Sequence, residues 1–579
     1  MKKGRIFLIF IQILMLIILV RLYNLQIVKG NFYEELSKRN YLKFIILPAP
    51  RGLILDRNGK ILASNKISYS IYLVPPYKLD DKNKYKKLAE ILSLSYNDLE
   101  IKLKNIYSYT PAILLKNNLS IKEISSLEGN RDKLPPFIIN MELKRVYPYG
   151  NLASHILGYM GEISKEELDE NYSLGDFVGK TGIEKIYENY LKGKKGYRGI
   201  DISSGNKSYN LLSSKDPEPG NTIVLSIDLE LQNLAEKAIG NDAGAIIVSN
   251  PFTGEILALV SNPSFDPNKF IEGFSIKEWN ELVNNEKKPL NNRAISCLYP
   301  PGSIFKLITA LSAVENGKVS LNEKFYCSGY YRLGSMTFSC WKKSGHGRLN
   351  FLEGIAQSCN IVFFNIGLRV GPDEISKMAK NFGLNDKLGI DLPNEIKGFI
   401  PSPQWKKENL KEPWYPGDTL NMSIGQGYIL LTPLDVHFIV SMIATEGLGY
   451  RPHLLKEIIN PKGEKILIYK PELIKKVSLK KETWNIIKEG MKLVVERGTG
   501  RIAQGKIWKV AGKTGTAENP HGEGHAWFSA FFPYENPKYV VTVFIEHGKT
   551  GGGKSAPIAK QIIDYLEKKE VEGFGKNFN

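Results

Sequence analysis

The N-terminal segment has the polarity pattern of a membrane helix. Lys2, Lys3 and Arg5 precede an uncharged apolar run at 6–20, which only Gln12 interrupts. A fifteen-residue helix spans about 22 Å, short of a bilayer core of roughly 30 Å, but apolar residues at 22–28 extend the run. No small-residue cleavage site follows it. We therefore expect residues 1–30 to form an uncleaved single-pass anchor, with the basic N-terminus in the cytoplasm and the remaining chain outside it.

The next part of the chain mixes strand and helix patterns. Tyr41–Leu47 is strand-like, and apolar runs on both sides of Asn58-Gly59 predict a β-hairpin. Residues 77–135 carry Lys, Leu and Asn at helical spacing, which predicts a helical insertion. Because a turn-rich linker (PEPGN) ends this part, we expect residues 31–220 to form one mixed, β-rich domain.

Beyond residue 220 the pattern predicts a large α+β domain at 221–567. Strands are expected at 222–228, 243–248 and 255–260, with an amphipathic helix at 229–240 after the first. Residues 568–579 resemble a polar tail, and no internal repeat is visible.

The composition narrows the function classes. With 42% hydrophobic and 24% charged residues, the chain is typical of globular proteins and not of disordered or many-spanning ones. The net charge is +18, but the basic residues are spread along the chain and accompany no nucleic-acid-binding motif. We therefore expect no nucleic-acid partner, and an anionic lipid or wall polymer explains the charge better.

A candidate nucleophile lies in Pro300-Pro301-Gly302-Ser303-Ile304-Phe305-Lys306. Proline and glycine before an apolar helical pattern place Ser303 at a helix N-terminus, where the dipole favours an anion. Lys306 falls on the same helix face, so its amine can serve as the base for the serine hydroxyl if burial lowers its pKa. Alone, Ser-x-x-Lys is better explained as an ordinary helix cap.

Two further motifs change that interpretation. Ser358-Cys359-Asn360 lies in a second helical stretch, and Lys513-Thr514-Gly515-Thr516 follows a strand-like segment. Ser-x-x-Lys, Ser-x-Asn and Lys-Thr-Gly in this order are the signature of the penicillin-recognising serine enzymes, which the chain resembles.

This resemblance implies a role for each motif residue. Ser303 would attack the carbonyl of a D-Ala-D-Ala stem peptide, and Lys306 would accept its proton. Ser358 and Asn360 would hold Lys306 and relay protons. Lys513 would add positive potential, and together with Thr514 and Thr516 it would meet the substrate carboxylate. Gly515 would leave room for the substrate, and the backbone N–H groups of Ser303 and Thr516 would form the oxyanion hole.

Other segments resemble the class B penicillin-binding proteins, and among them the elongation-type penicillin-binding protein 2. The resemblance implies a pedestal domain at 31–220, a penicillin-binding transpeptidase domain at 221–567 with an antiparallel sheet and a helical subdomain, and a RodA-like polymerase of the elongation complex as partner. No glycosyltransferase motif is found. The segments that carry the resemblance are Arg51-Gly52, 56–59, 145–148, 179–185, 292–294, 341–347, 413–419 and 425–428.

Four cysteines pose a separate question. Cys327, Cys340 and Cys359 occur with His346 within 33 residues. Three thiolates and an imidazole fit a closed zinc site, whereas an exported protein also allows a Cys327–Cys340 disulfide. Residue spacing leaves both open. Some elongation-type relatives carry a metal at matching places, so the resemblance favours a structural Zn²⁺; no organic cofactor is expected.

Alternative functions share some of these motifs. They are a division-type class B transpeptidase, a serine β-lactamase, a β-lactam sensor and a non-catalytic scaffold. A class A lactamase needs a deacylating glutamate loop and a sensor needs a cytoplasmic signalling region, and neither is found. The complete motif set argues against a scaffold.

Overall fold

The computed structural model describes residues 2–31, 33, 42–73, 81–104, 113–168, 172, 175–201, 210–519 and 522–576. By its internal contacts the chain forms two compact units. The first comprises residues 1–52, 66–144 and 192–220, and the second comprises 53–65, 145–191 and 221–579. These units divide the chain differently from the predicted domains, since 53–65 and 145–191 group with the second unit. The domain boundary expected at residue 220 stays a prediction.

The first unit begins with the predicted apolar helix. Lys2–Tyr23 is α-helical and continues as a π-helical turn at Asn24–Val28. Within it, Gly4–Val28 is long and apolar enough to cross a membrane, with a mean hydropathy of 2.7 in its most apolar window and exposed side chains. The single-pass anchoring expected from the sequence is compatible with this helix.

The rest of the first unit contains a three-stranded antiparallel sheet and a small helical core. The sheet has the order Leu42–Leu47, Gly196–Asp201, Asn210–Lys215. Tyr41, predicted to start its first strand, lies outside the described residues. The predicted helical insertion holds Lys82–Ile91, Tyr96–Lys104 and Ile121–Gly129, but also the strand Ile113–Lys116, while 77–80 and 105–112 lie outside the described residues. Ile71, Leu88 and Leu127 belong to its buried core.

The predicted hairpin at Asn58-Gly59 is present. Ile54–Leu55 pairs antiparallel with the start of Ile61–Leu73. Asp56 Oδ1 accepts hydrogen bonds from the backbone N–H groups of Asn58 and Lys60, and Gly59 has a φ of +83°, which glycine adopts without strain. The turn residues thus supply the conformation that the hairpin requires.

The second unit is built on a five-stranded antiparallel sheet with helices on both faces. In Gly244–Ser249, Ala245 and Ile247 join one buried cluster while Ile246 and Val248 join the other, as the two-residue period of a strand requires. This two-sided burial explains the continuous apolar run in the sequence. The strand order is Ile256–Asn262, Gly244–Ser249, Tyr539–Ile545, Gly522–Phe532, Ala511–Asn519.

The helices of the second unit form two layers. Leu229–Ile239 and Ala556–Lys576 contribute to one cluster, and the more numerous helices of the other cluster form the predicted helical subdomain. The expected polar tail is helical as far as Lys576, and 577–579 lie outside the described residues. The main helices of that subdomain are Lys306–Glu315, Phe351–Ala356, Asn360–Val370, Pro372–Asn381, Pro403–Asn409, Pro416–Ser423, Pro433–Ala444 and Lys481–Arg497.

Smaller elements complete the second unit. Thr222–Leu225 lies between Ile54–Leu55 and Leu455–Ile459, the latter followed by Lys465–Ile468, and these strands form a second sheet. Paired strands elsewhere are Met160–Glu162 with Phe177–Gly179, Phe325–Cys327 with Gly347–Leu349, Tyr330–Leu333 with Met336–Ser339, and Leu448–Tyr450 with Leu473–Lys476. Short helices are Ser154–Leu157, Gly182–Ile186, Glu188–Leu191, Asn268–Glu272, Ile276–Val283 and Arg293–Ser296.

Candidate active site

Ser303 lies in a tight turn that leads into a helix. Gly302–Ile304 is a 3₁₀ turn, and Lys306–Glu315 is the helix that follows. Gly302 has a φ of +53°, and its N–H donates to the carbonyl of Gly425 at 3.0 Å. A Cβ at Gly302 would lie 2.6 Å from the carbonyl oxygen of Thr516, so only glycine permits this approach. The turn is thus held against the Lys-Thr-Gly strand with Ser303 half-buried.

Lys306 is fully buried at the start of the same helix. Its Nζ donates to the backbone carbonyl of Ser358 at 2.8 Å and to Oδ1 of Asn360 at 2.7 Å, and it lies 3.5 Å from Oγ of Ser358. Burial lowers the pKa of Lys306 to about 8, because a charged amine loses its hydration there. A substantial neutral fraction near pH 7–8 makes the amine a competent base.

The Ser-x-Asn motif forms a break between two helices. Phe351–Ala356 ends before Ser358, whose φ of +51° is in the left-handed region, and Asn360 starts the next helix. Such a conformation costs a non-glycine residue about 1–3 kcal/mol. The break turns both Ser358 and Asn360 toward Lys306, which a continuous helix would not do at this two-residue spacing.

Lys513 approaches the same serine from the sheet. It lies on Ala511–Asn519, the edge strand next to Gly522–Phe532, and is fully buried. Its Nζ donates to Oγ of Ser358 at 2.7 Å and to the carbonyl of Thr514 at 3.1 Å. Burial, with the neighbouring Lys306 amine as a second cause, holds the pKa of Lys513 well below its usual value.

Gly515 lets other parts of the second unit pack closely against its strand. A Cβ there would lie 2.9 Å from Cβ of Trp527 and 3.1 Å from both Cγ1 of Ile304 and the carbonyl of Pro301. The missing side chain therefore makes room for the nucleophile turn and a core tryptophan. That Gly515 also leaves room for the substrate stays a prediction.

The two threonines of the motif differ in exposure. Oγ1 of Thr514 lies 2.5 Å from Oγ1 of Thr499, and Thr516 is exposed, with Oγ1 accepting from the N–H of Gly551 at 3.3 Å. Sequence reasoning missed Thr499 and Gly551. The sequence offers only weak signals for these two residues, a threonine between glycines at 498–500 and three successive glycines at 551–553. Neither pattern indicates which strand the segment contacts.

The predicted metal ligands come together. One ligand atom from each of Cys327, Cys340, His346 and Cys359 can be chosen so that all four lie within 4.8 Å of one another. Nδ1 of His346 is 3.5 Å from Sγ of Cys327 and 3.6 Å from Sγ of Cys340. All three cysteines are buried, and they are free thiols, so the alternative Cys327–Cys340 disulfide is not formed.

The surroundings of the cluster favour a thiolate. The pKa of Cys340 is lowered mainly because the thiol of Cys359 donates to it, with further donors in His346 and the backbone N–H groups of Lys342 and Asn360. The pKa of Cys359 is correspondingly raised. Buried soft donors at these separations fit a tetrahedral Zn²⁺.

Comparisons with known proteins agree with this geometry. The penicillin binding protein transpeptidase domain matches residues 244–564, more than half of the chain, and the penicillin-binding protein dimerisation domain matches residues 46–225. The chain belongs to the penicillin-binding protein transpeptidase family. The predicted family and the predicted α+β fold are confirmed.

Individual members of the penicillin-binding protein family are similar over nearly the full length. The peptidoglycan D,D-transpeptidase MrdA of Haemophilus influenzae is 35% identical over 96% of this chain and 90% of its own. Among solved structures, penicillin-binding protein 2 of Helicobacter pylori in complex with MreC has a TM-score of 0.80 at 33% identity, covering 91% of this chain and 99% of that one. A structure titled for polymerization and crosslinking by a peptidoglycan synthase complex has a TM-score of 0.73 at 29% identity, covering 97% of both chains.

Proposed function

We propose that this protein is an elongation-type peptidoglycan D,D-transpeptidase. The observation that carries the proposal is the Ser358 hydroxyl, which lies 3.5 Å from Nζ of Lys306 and 2.7 Å from Nζ of Lys513. This hydroxyl links the buried amine that would serve as base for the nucleophile Ser303 to a second amine that would modulate it. The similarity to MrdA-type transpeptidases supports the elongation type over the division-type, lactamase, sensor and scaffold alternatives.

The proposed chemistry is acyl transfer in two steps. The hydroxyl of Ser303 loses its proton to Lys306 while Oγ bonds to the penultimate D-Ala carbonyl carbon. The C–N bond to the terminal D-Ala then breaks, and its amine takes up that proton through Ser358. In the second step, an acceptor amine on another stem peptide bonds to the ester carbonyl carbon and loses a proton to Lys306. The C–Oγ bond then breaks, and Oγ of Ser303 takes up that proton, which restores the hydroxyl.

The oxyanion of each tetrahedral intermediate needs fixed donors. We assign this role to the backbone N–H groups of Ser303 and Thr516. The close approach of Gly302 to the carbonyl of Thr516 supports the assignment, because it brings the two backbones together. The exposed hydroxyl of Thr516 is suited to receive the substrate carboxylate, and we propose that Thr514 and Lys513 contribute to this contact. Lys513 would also act through Ser358, to which its amine donates.

Penicillin labelling tests the nucleophile. Ser303→Ala should abolish covalent labelling by fluorescent penicillin, since the attacking oxygen is gone, and should change stability by less than about 2 kcal/mol. Labelling in gels and thermal melting of the same preparations measure both. Ser320→Ala, an exposed serine outside the site, is the matched control and should label at the wild-type rate. Retained labelling of Ser303→Ala would disprove the catalytic assignment.

The N-terminal helix supports a proposal for the location of the chain. We propose a single-pass anchor in the cytoplasmic membrane with the catalytic unit outside, because Lys2, Lys3 and Arg5 favour the cytoplasmic side. A RodA-like polymerase is the proposed membrane partner. The similarity to a chain of a complex that couples polymerization to crosslinking supports this choice.

We further propose that Cys327, Cys340, His346 and Cys359 hold a structural Zn²⁺. The metal would fix the Ser358–Asn360 turn through Cys359 and would take no part in the chemistry, because four protein ligands leave no open position. Purified full-length protein should contain one zinc per chain, and chelation or Cys359→Ser should lower Tm by at least about 5 °C.

Cys297→Ser is the matched control for the zinc proposal. Cys297 is the fourth cysteine and lies outside the cluster, so its substitution should leave both the zinc content and Tm unchanged. Elemental analysis that finds no zinc in the wild-type protein would refute the metal site and leave the serine assignment untouched.

A further inference from the structure

One small module beside the active site is strongly basic. It comprises residues 324–349, folded as two strand pairs, Phe325–Cys327 with Gly347–Leu349 and Tyr330–Leu333 with Met336–Ser339. We call it the basic hairpin module. Its 26 residues include five Lys or Arg and no Asp or Glu, whereas the whole chain carries 78 basic and 60 acidic residues. This local excess is much larger than the chain's average.

Most of these charges face solvent without an acidic neighbour. Lys324 forms an ion pair, with its Nζ 3.8 Å from Oε2 of Glu353. The other four are exposed and form no ion pair with any carboxylate among the described residues. A set of unneutralised cations on one module attracts an anionic ligand and repels cations. These four residues are Arg332, Lys342, Lys343 and Arg348.

The same module exposes large apolar side chains. Tyr326, Tyr330, Met336 and Trp341 are between 48% and 69% exposed. The guanidinium of Arg332 lies 5.7 Å from the ring centroid of Tyr330, so cation and ring present one mixed surface. Exposed tyrosine and tryptophan beside arginine are enriched at binding surfaces, because they combine an apolar face with a polar edge.

The module is hydrogen-bonded directly to the turn that carries Ser358 and Asn360. The carbonyl of Ser339 accepts from Nδ2 of Asn360 at 3.0 Å, and Nε1 of Trp341 donates to the carbonyl of Gln357 at 3.0 Å. Cys327 and Cys340 bracket the Tyr330–Ser339 hairpin and meet Cys359 in the cluster described above. A ligand bound to the module would therefore lie close to the acyl-enzyme.

We propose that the basic hairpin module docks an anionic peptidoglycan strand next to the catalytic serine. Arg332, Lys342, Lys343 and Arg348 would pair with free carboxylates of the stem peptides, and the exposed rings would contact the apolar faces of sugars or peptide. The proposal rests on the transpeptidase function proposed above. Because the module is hydrogen-bonded to the Ser358–Asn360 turn, the substrate polymer is favoured over a lipid surface as the ligand that it binds.

Co-sedimentation with purified peptidoglycan tests the proposal. Full-length protein in detergent should bind sacculi, and the triple variant Arg332→Gln, Lys342→Gln, Lys343→Gln should bind about tenfold more weakly at low salt, because three exposed ion pairs are lost. The difference should shrink at high salt, where screening weakens the wild-type interaction. Lys462→Gln, Lys470→Gln, Lys476→Gln removes the same charge at other exposed positions and should bind like wild type.

The outcomes separate this inference from the proposed function. Penicillin acylation reports on the serine alone, so the triple variant should acylate at the wild-type rate, which also shows that it is folded. If the wild type and the triple variant bind sacculi equally well, the docking surface is disproved even if acylation is normal. It is also disproved if the control variant loses as much binding to sacculi as the triple variant does. If the triple variant loses binding to phosphatidylglycerol vesicles but binds sacculi like the wild type, the module binds the membrane instead.

Discussion

Lys306 and Lys513 both direct an amine at one hydroxyl. Their Nζ atoms lie 3.5 and 2.7 Å from Oγ of Ser358, and both side chains are fully buried. Each ammonium group loses hydration when it is buried, so both pKa values fall, and the Lys306 amine lowers that of Lys513 further. Because the pKa of Lys306 is about 8, the two amines are not both fully protonated at mildly alkaline pH.

The pH dependence of acylation follows from the pKa of Lys306. Burial lowers that pKa to about 8, against smaller opposing effects of Cys359 and Cys340. The base is active only when neutral, so the acylation rate should rise with pH through about 8 and level off above it. Stopped-flow acylation between pH 6 and 10 measures the profile. A rate independent of pH across that range would exclude Lys306 as the base.

Lys513→Met provides the companion measurement. It removes the amine that donates to Oγ of Ser358, so acylation should be slower at every pH. The rising limb should stay near pH 8, because burial sets the pKa of Lys306. A limb that moves to higher pH would show instead that Lys513 acts on Lys306 as a neighbouring cation.

At the scale of elements, the site depends on how closely the nucleophile turn packs on the edge strand. Gly302 approaches Thr516, Gly425 lies against the turn, and Gly515 admits Ile304 and Trp527. At each of these glycines a Cβ would lie 2.9 Å or closer to an atom of another segment. The three glycines therefore set the distance between Ser303 and the strand that carries Thr516.

Substitution of Gly302 tests that packing. Gly302→Ala should lower stability by about 1–3 kcal/mol and slow acylation at least about tenfold, because a Cβ would lie 2.6 Å from a carbonyl oxygen and would strain a φ of +53°. Gly317→Ala is the control. Its φ of +63° imposes similar backbone strain, but no atom lies within 4 Å of its Cβ, so stability should fall without loss of acylation in the folded protein.

At the scale of the whole molecule, the predicted catalytic residues and the apolar N-terminal helix lie in different units. Residues 2–28 form the apolar helix of the first unit, and every predicted catalytic residue lies in the second. The helix exposes its side chains and contributes to none of the three buried clusters. The catalytic unit therefore does not depend on the helix for its core.

Removal of residues 2–28 tests this division. The truncated protein should stay soluble without detergent and should react with labelled penicillin within about twofold of the wild-type rate, because it loses only an apolar helix of membrane-spanning length. Sedimentation and labelling of both forms measure the two properties. Loss of labelling in a folded truncated protein would show that the helix supports the site.

Local patterns in the sequence determined much of this protein. The run at 6–20 predicts the apolar helix, Asn58-Gly59 predicts its hairpin, and the ordered motifs of Ser303, Ser358 and Lys513 indicate the family. These features depend on neighbouring residues, whose spacing sets helix, strand and turn preferences directly. Their prediction requires no knowledge of how distant segments pack.

Contacts between distant segments were decided only by the tertiary structure. Lys513 and Ser358 are 155 residues apart, yet their side chains lie 2.7 Å from each other, and the left-handed turn that makes this possible falls on a serine. Two other contacts also join segments that are distant in sequence. Thr514 pairs with Thr499, and Gly515 packs against Ile304 and Trp527. Such contacts result from packing that balances many interactions at once, so no short window of sequence specifies them.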